Sequence, residues 1–395
     1  MIFDFDISVP VLILLTLTLL FALLSSIVGL RYIRKVARAG YRIDAEEDAP
    51  SDVPGLSVIV YAHNAENHIG KFLTELLAQD HPDFEVIVVN DASEDNTHEI
   101  VDNMLEEDPR LYLTFVSDSA QNISHRKLAY TVGLRAAKKP VALITSSNVD
   151  IPDSSWLRRM AAPFADNDIE VGIGTAYVDR DTDHGTGKYW RSFDQLVSDT
   201  RWIGAALCGK PYRGTAFNLA FRTDTFFRNK GYVSTNRFQA GEDDLFVNEV
   251  STPDNTAIIF HPKAMIRICY PEKDYPRLWK RHKERYTFTS RYLHTGALRV
   301  QGFMSLCLWG SSGCALAAAI AGLPNLMPAC AALLISLLTW ADQICVYRRA
   351  ATAMRSIRLW WSVPFLWLAR PLLNACYRVG FQANKHSNYT WQQPH

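Results

Sequence analysis

Three short polar stretches carry side chains able to do chemistry. "GEDDLF" places Glu242, Asp243 and Asp244 side by side. A carboxylate beside other carboxylates has a raised pKa and can take a proton near neutral pH. The same letters also suit a helix start, with Gly241, acids in the first turn, then Leu245, Phe246 and Val247. "WKRHKERY" brings together Trp279, His282, Lys283, Arg285 and Tyr286. An arginine can bind phosphate with two parallel hydrogen bonds, and an aromatic ring can stack on a sugar. The run suits equally well a basic amphipathic helix on anionic lipid headgroups. "ALITSSNVDIPDSSW" is a buried strand that stops in a polar loop, a position where a cation or phosphate is often held. Mg²⁺ prefers hard, charged oxygen ligands. The loop offers Ser146, Ser147 and Asn148, then Asp150 and Asp153, so Asn148 supplies a neutral oxygen and Asp150 a charged one.

These stretches must be held by a scaffold, and the central region supplies the pattern of one. "LSVIVYAH", "FEVIVVND", "LYLTFVS" and "PVALITSS" read as strands, the second apolar through its centre as a strand buried on both faces should be. Between them, "AENHIGKFLTELLAQ" has Ile69, Phe72, Leu73, Leu76 and Leu77 at helical spacing. "SEDNTHEIVDNMLEED" opens with Ser93 as a capping residue, and "HRKLAYTVGLRAAKK" is a further helix. Alternation of this kind predicts an α/β fold with a parallel sheet covered by helices. Ligands of such sheets bind beyond the carboxyl ends of the strands. Those ends are His63-Asn64-Ala65-Glu66, Asn90-Asp91, Ser117-Asp118 and Ser146-Ser147-Asn148. Asp91 can hydrogen-bond a ribose or base edge, or cap the next helix. Neither G-x-G-x-x-G nor G-x-x-x-x-G-K-[ST] occurs in the expected place, which argues against a dinucleotide dehydrogenase and a P-loop NTPase.

The 395 residues balance 41 basic against 41 acidic side chains, so nothing calls for nucleic acid as a partner. The seven cysteines form no C-x-x-C pair and read as unpaired. Mean hydropathy near zero hides apolar ends around a mixed middle. Val9–Leu30 is uncharged and long enough to cross a bilayer. Asp4 and Asp6 precede it, and Arg31, Arg34, Lys35, Arg38 and Arg42 follow. The positive-inside rule then puts the N-terminus outside and the bulk of the chain in the cytoplasm. Two more spans with a short turn fit residues 303–347, with Asp342 as a solvated acid near a helix end and Arg348, Arg349, Arg355 and Arg358 after them. Residues 359–381 mix Trp360, Trp361 and Trp367 with Arg370, Arg378, Pro364 and Pro371, and read as interfacial or re-entrant. The expected organisation is a membrane anchor at 1–35, a linker at 36–54, a soluble domain at 55–300 and a C-terminal membrane region at 301–395.

From Gly55 to Tyr292 the order of features resembles the family 2 glycosyltransferases. The residues that carry the likeness are Ser57 to Tyr61, Asn64 with Glu66, Asp83 to Val89, Asn90-Asp91, Ser93, and Asp95 with Thr97. It continues at "HRKLAYTVGLRAAKKPVALIT", "GTAFNLAFRTDTFF", "GEDDLFVNEV" and "WKRHKERY". The resemblance implies a GT-A fold, a Rossmann-like nucleotide-sugar half joined to an acceptor half. It implies donor-binding roles for Asn64, Glu66, Asp91 and Lys127. Asp243, with Glu242, becomes the catalytic base. Asn218, Trp279, His282, Lys283, Arg285 and Tyr286 fall on the acceptor and diphosphate side. The family's D-x-D falls at Ser146 and Asn148, neither a carboxylate, so a divalent cation (Mg²⁺ or Mn²⁺) is expected on Asn148 and Asp150. A metal-independent site in which Lys127 and Arg285 neutralise the diphosphate is the alternative, and a pseudoenzyme comes last. His282 and Tyr286 stand where the processive synthases have Gln and Trp, which argues against polymer synthesis.

The expected activity is that of an inverting hexosyltransferase anchored in a bacterial cytoplasmic membrane with its catalytic domain in the cytoplasm. It would pass a sugar from a nucleotide-sugar to a lipid-linked acceptor of a cell-envelope glycan. A polyprenyl-phosphate sugar synthase and a non-catalytic nucleotide-binding scaffold are the competing expectations.

Overall fold

The structure, a computed structural model, describes residues 7–43, 47–117, 124–179, 181–185, 187–357, 359 and 361–384. The expectations placed on Asp4, Asp6, Asp118, Arg358 and Trp360 lie outside the described residues. The strands are β1 (Leu56–Ala62), β2 (Phe84–Asp91), β3 (Leu111–Val116), β4 (Val141–Ser146), β5 (Val149–Asp150), β6 (Val171–Gly174), β7 (Ala176–Val178), β8 (Leu219–Arg222), β9 (Thr256–Ile259) and β10 (Ile266–Ile268). The helices are α1 (Val9–Leu24), α2 (Arg31–Arg42), α3 (Ile69–Leu77), α4 (Thr97–Leu105), α5 (His125–Ala136), α6 (Trp156–Ala161), α7 (Lys188–Ala206), α8 (Thr223–Arg228), α9 (Asp244–Val250), α10 (Tyr275–Thr289), α11 (Ala297–Ala321), α12 (Met327–Ala353) and α13 (Ser362–Asn384).

The chain divides into two compact units. In the first to be considered, seven strands form one sheet in the order β3-β2-β1-β4-β8-β6-β9. β1 is parallel to both β2 and β4, with Val58 opposite Val86 on one side and Leu143 on the other. Only β8 runs against its neighbours β4 and β6. β1 is buried at every residue, and so is β4, as strands covered on both faces and largely apolar should be. α3 lays Ile69, Phe72, Leu73 and Leu76 into the core beside Trp156 and Phe164, each such side chain worth about 1.5–3 kcal/mol when removed from water. α5 lies close on the sheet at Gly133, where a Cβ would overlap Ile59 and Val89. A second small sheet joins β5, β10 and β7.

One helix start differs from the sequence reading. α4 begins at Thr97, and Ser93 does not cap it. Residues 92–96 instead form a loop in which Ala92 takes a positive φ of 45°. The Asp95 carboxylate accepts the Thr97 N–H at 3.0 Å, so the acid two residues upstream does the work expected of Ser93.

The other unit is helical and contains α1, α2, α7, α11, α12 and most of α13. Three of its stretches are long and apolar enough to cross a membrane: Val9–Gly29, Ala297–Ala321 and Met327–Ala353. Leu12, Leu19, Leu316, Leu334 and Leu338 stand exposed on them, as lipid-facing residues would. Residues 36–42, assigned to the linker from composition, are the end of α2. That helix buries Tyr32, Ile33, Val36 and Ala37 and carries its basic residues elsewhere on its surface. Asp342 is not simply solvated: it accepts from Arg34 Nη2 at 2.8 Å and 2.6 Å, and from the Ser26 hydroxyl. α7, read in the sequence as part of the central domain, belongs to this unit, where Asp194 pairs with Arg370 at 3.2 Å. α13 is one helix with Pro371 inside it. All seven cysteines are free.

Candidate active site

A cleft of about 800 Å³ opens beside the ends of β1 and β4 in the sheet-containing unit. That volume is within the range of small-molecule sites. Tyr61 and His63 reach it from the end of β1, Arg126 from α5 and Asn148 from the loop after β4. Arg213, Ala216 and Phe217 come from the segment before β8, and Cys269 and Tyr270 from the end of β10.

The acidic triplet reaches the cleft through a turn that only glycine makes easily. Gly241 has φ +99°, and a Cβ there would press into Leu245. Asp243 caps α9 as the sequence suggests, accepting the Asp244 N–H on Oδ1 at 2.8 Å. Its Oδ2 accepts the Ala216 N–H at 3.1 Å. Two backbone donors thus fix this carboxylate on the cleft wall. Its neighbours are buried and differ sharply. Glu242 is wholly inaccessible to solvent and is hydrogen-bonded by Arg285, with Arg126 at 3.8 Å. Burial alone would raise its pKa; the two arginines overcome that and hold it well below the usual range. Asp244 receives the Thr289 hydroxyl, and its carboxyl is pushed well up by burial and then by Asp243.

α10 presents a helical stripe to the cleft: Leu278, Arg281, His282, Arg285, Tyr286 and Thr289. The Arg213 guanidinium lies over the Tyr286 ring, 3.9 Å from its centroid, and its Nη2 is 3.4 Å from His282 Nε2. Burial, then Arg213, Arg285 and Arg126, press the His282 pKa down to about 3, so its imidazole is neutral at physiological pH. Trp279 and Lys283 do not line the cleft. They pair with each other instead, the Lys283 ammonium lying 5.2 Å from the Trp279 ring.

Several residues assigned to the donor or acceptor from sequence are engaged by the protein's own loops and strands. Asn64, at φ 48°, accepts the Glu94 N–H at 2.9 Å, while its own N–H donates to Ser93 Oγ at 3.0 Å. Glu66 Oε2 accepts from the backbone and side chain of Asn96, both at 3.1 Å. Together they clamp the loop after β1 to the loop after β2. Lys127 is buried, and its ammonium donates to Thr235 O, Thr235 Oγ1 and Phe238 O at 2.7, 3.1 and 3.0 Å. With three N–H groups so engaged it secures the segment leading to Gly241 and has none left for a diphosphate. Asn218 is fully buried: Nδ2 donates to Thr175 O and Ala264 O at 2.9 Å, and Oδ1 accepts from Trp156 Nε1 at 3.2 Å. It ties β8 to the core and faces no acceptor. Asp91, also buried, accepts from the Tyr61 hydroxyl at 2.5 Å and from His125 Nδ1 at 2.7 Å. Sequence reasoning passed over Arg126 and Arg213 as cleft residues. Arg126 adjoins Lys127 and Arg213 lies within "GKPYRGTAFN", so the signal was present but carried no helical phase.

The residues expected to hold a cation do not form a ligand set. Ser146 donates its hydroxyl to Asn148 Oδ1 at 2.7 Å. Asp150 pairs with Arg267 across the small sheet, has Lys71 at 3.9 Å, and does not line the cleft. Burial would raise the Asp150 pKa, but the Arg267 hydrogen bond and charge bring it below the ordinary value. Among the described residues no group of three or more His, Cys, Asp or Glu side chains gathers as a metal site.

Residues 57–227 match the model of the family described as glycosyl transferase family 2. An uncharacterized glycosyltransferase of Nostoc sp. is 25% identical over 168 residues, which cover 41% of this chain and 50% of that protein. The match thus spans about half the length of this curated relative. A mannosyltransferase from Pyrobaculum calidifontis, solved in complex with GDP-Man and Mn²⁺, has 19% identity and a TM-score of 0.52, over 90% of this chain and 99% of that one. This likeness shows a shared fold, of the GT-A type.

Proposed function

Residues 57–227 being a glycosyl transferase family 2 segment, we propose that the protein is an inverting glycosyltransferase that moves a sugar from a nucleoside diphosphate to the hydroxyl of a lipid-linked acceptor. The observation that carries the reading is Asp243, a cleft-wall carboxylate oriented by two backbone N–H groups beside a cluster of arginines. The acceptor oxygen attacks the anomeric carbon as the bond to the diphosphate breaks, and the leaving group keeps the electron pair. Asp243 takes the hydroxyl proton. A single displacement inverts the anomeric centre. The three candidate spans support a lipid-linked acceptor, because an anchored enzyme works on substrates held at the same bilayer. Arg31, Arg34, Lys35 and Arg38, directly after the first span, support a cytoplasmic catalytic unit in a bacterial cytoplasmic membrane.

Asp243→Asn tests the base. Asparagine is as good an N-cap as aspartate and gives up only the hydrogen bond from the Ala216 N–H, so the fold is expected to survive, while the loss of general-base catalysis lowers turnover roughly 10²- to 10⁴-fold. The assay is release of nucleoside diphosphate from a panel of nucleotide-sugars. Full activity in the variant overturns the assignment of Asp243. Mild loss with polyprenyl phosphate as acceptor points to the phosphate-acceptor reaction, since a phosphate oxygen needs little base help.

A further inference from the structure

The cleft and the end of β4 disagree about how a diphosphate is neutralised. At the end of β4 the side chains are neutral, and Asn148 Oδ1 already accepts a hydrogen bond from Ser146. The next acid along the chain, Asp150, pairs with Arg267, has Lys71 at 3.9 Å and does not line the cleft. A divalent ion here would find one neutral oxygen and no available carboxylate, whereas Mg²⁺ and Mn²⁺ sites rely on charged oxygens.

Positive charge is concentrated elsewhere on the same cleft. Arg126, Arg213, Arg281 and Arg285 line it, against Asp243 and Asp244 on the wall and Glu242 behind. Guanidinium charge therefore exceeds carboxylate charge there. The arginines are also held in place. Arg126 lies 4.8 Å from the Tyr61 ring centroid and 3.8 Å from Glu242; Arg213 lies on Tyr286; Arg285 bonds Glu242. A guanidinium stacked on a ring is bound through its face, and its fork of donors lies in the plane, the geometry that matches phosphate oxygens. Arginine stays protonated at any physiological pH, so such a cluster is a permanent counter-charge, as a bound cation would be.

We infer that the leaving diphosphate of the donor is neutralised by Arg126, Arg213 and Arg285, and that donor binding by this chain is independent of divalent metal. The inference rests on the proposed glycosyl transfer and concerns the same cleft.

The test uses the purified full-length chain in detergent with UDP, GDP, CDP, dTDP and ADP as probes, titrated calorimetrically in excess EDTA and again in millimolar Mn²⁺ or Mg²⁺. At least one diphosphate is expected to bind with a Kd that changes by less than about threefold between EDTA and metal, well under the 1.4 kcal/mol that a tenfold change represents. Arg213→Gln is expected to weaken that diphosphate roughly tenfold to a hundredfold, the loss typical of one charged hydrogen-bonding partner, while the matching nucleoside binds unchanged. A Kd that tightens tenfold or more with Mn²⁺ or Mg²⁺ overturns the inference and leaves the proposed reaction standing. Absence of binding to every diphosphate, with and without metal, overturns the proposed reaction itself. The metal comparison is made on the unmodified protein, so a poorly folded variant does not remove the test.

Discussion

Removing Arg285 should destabilise the sheet-containing unit far more than removing Arg285 and the Glu242 charge together. Glu242 is completely buried. Its Oε1 accepts from Arg285, its Oε2 has no partner among the described residues, and Arg126 stands at 3.8 Å, beyond hydrogen-bond reach. Arg285→Met therefore leaves a buried carboxylate with only its own backbone N–H and one more distant charge. Breaking a buried pair from one side costs about 3–5 kcal/mol. At 3.8 Å and an effective dielectric of 20, Arg126 still supplies an attraction of about 4 kcal/mol before desolvation, so the lower end, about 3 kcal/mol, is expected. For a unit of this size that is a fall of roughly 6–12 °C in midpoint. Adding Glu242→Gln removes the stranded charge and should recover at least half of the loss. Thermal unfolding of the full chain in detergent, followed by intrinsic fluorescence, measures all four corners of the cycle. The depressed Glu242 pKa makes the pair's contribution complete above the ordinary carboxylate range and lost as pH falls through the depressed value. The cycle should therefore shrink in acid. A double variant no more stable than Arg285→Met alone would refute the reasoning.

Two further outcomes follow from the same cleft. Burial, then Asp243, push the Asp244 carboxyl up to about 7; the folded state holds a proton that the unfolded chain has released, so stability declines as pH rises from about 4 to about 7. Asp244→Asn carries no such proton, and the difference in unfolding midpoint between variant and wild type should move in the variant's favour from pH 5 to pH 8; a difference that does not change with pH contradicts this account of Asp244. Lys127→Met leaves the acceptors on Thr235 and Phe238 buried without their donor, at roughly 1–3 kcal/mol for each unsatisfied group. Amide hydrogen exchange at residues 232–240 should accelerate while β1 and β2 stay protected, and unchanged exchange there would mean that the ammonium does not hold this segment.

β1, β2 and β4 were legible because burial on both faces demands a largely apolar run, and β2 follows "FEVIVVND" residue for residue. β6 to β10 are only three or four residues long, too short for any period to show. The helical unit was legible at its apolar spans and illegible at α7, whose Asp194 and Arg201 look like surface residues until a partner such as Arg370 is in place. In the site, the singled-out stretches line or brace the cleft, but their letters do not tell which side chains reach it. Arg126 and Lys127 are adjacent, yet a step of one residue on a helix turns the side chain by about 100°, sending one into the cleft and the other into the protein. The same step separates Lys283 from His282. A motif fixes the order of polar residues along a chain, but helical phase decides which become contacts and which become braces. Asn64, Glu66, Lys127 and Asn218 hydrogen-bond the loops and strands that carry the cleft. An alanine at any of these four positions is therefore expected to act on catalysis through the position of Asp243 or the arginines, and its first effect should be on loop order rather than on nucleotide affinity.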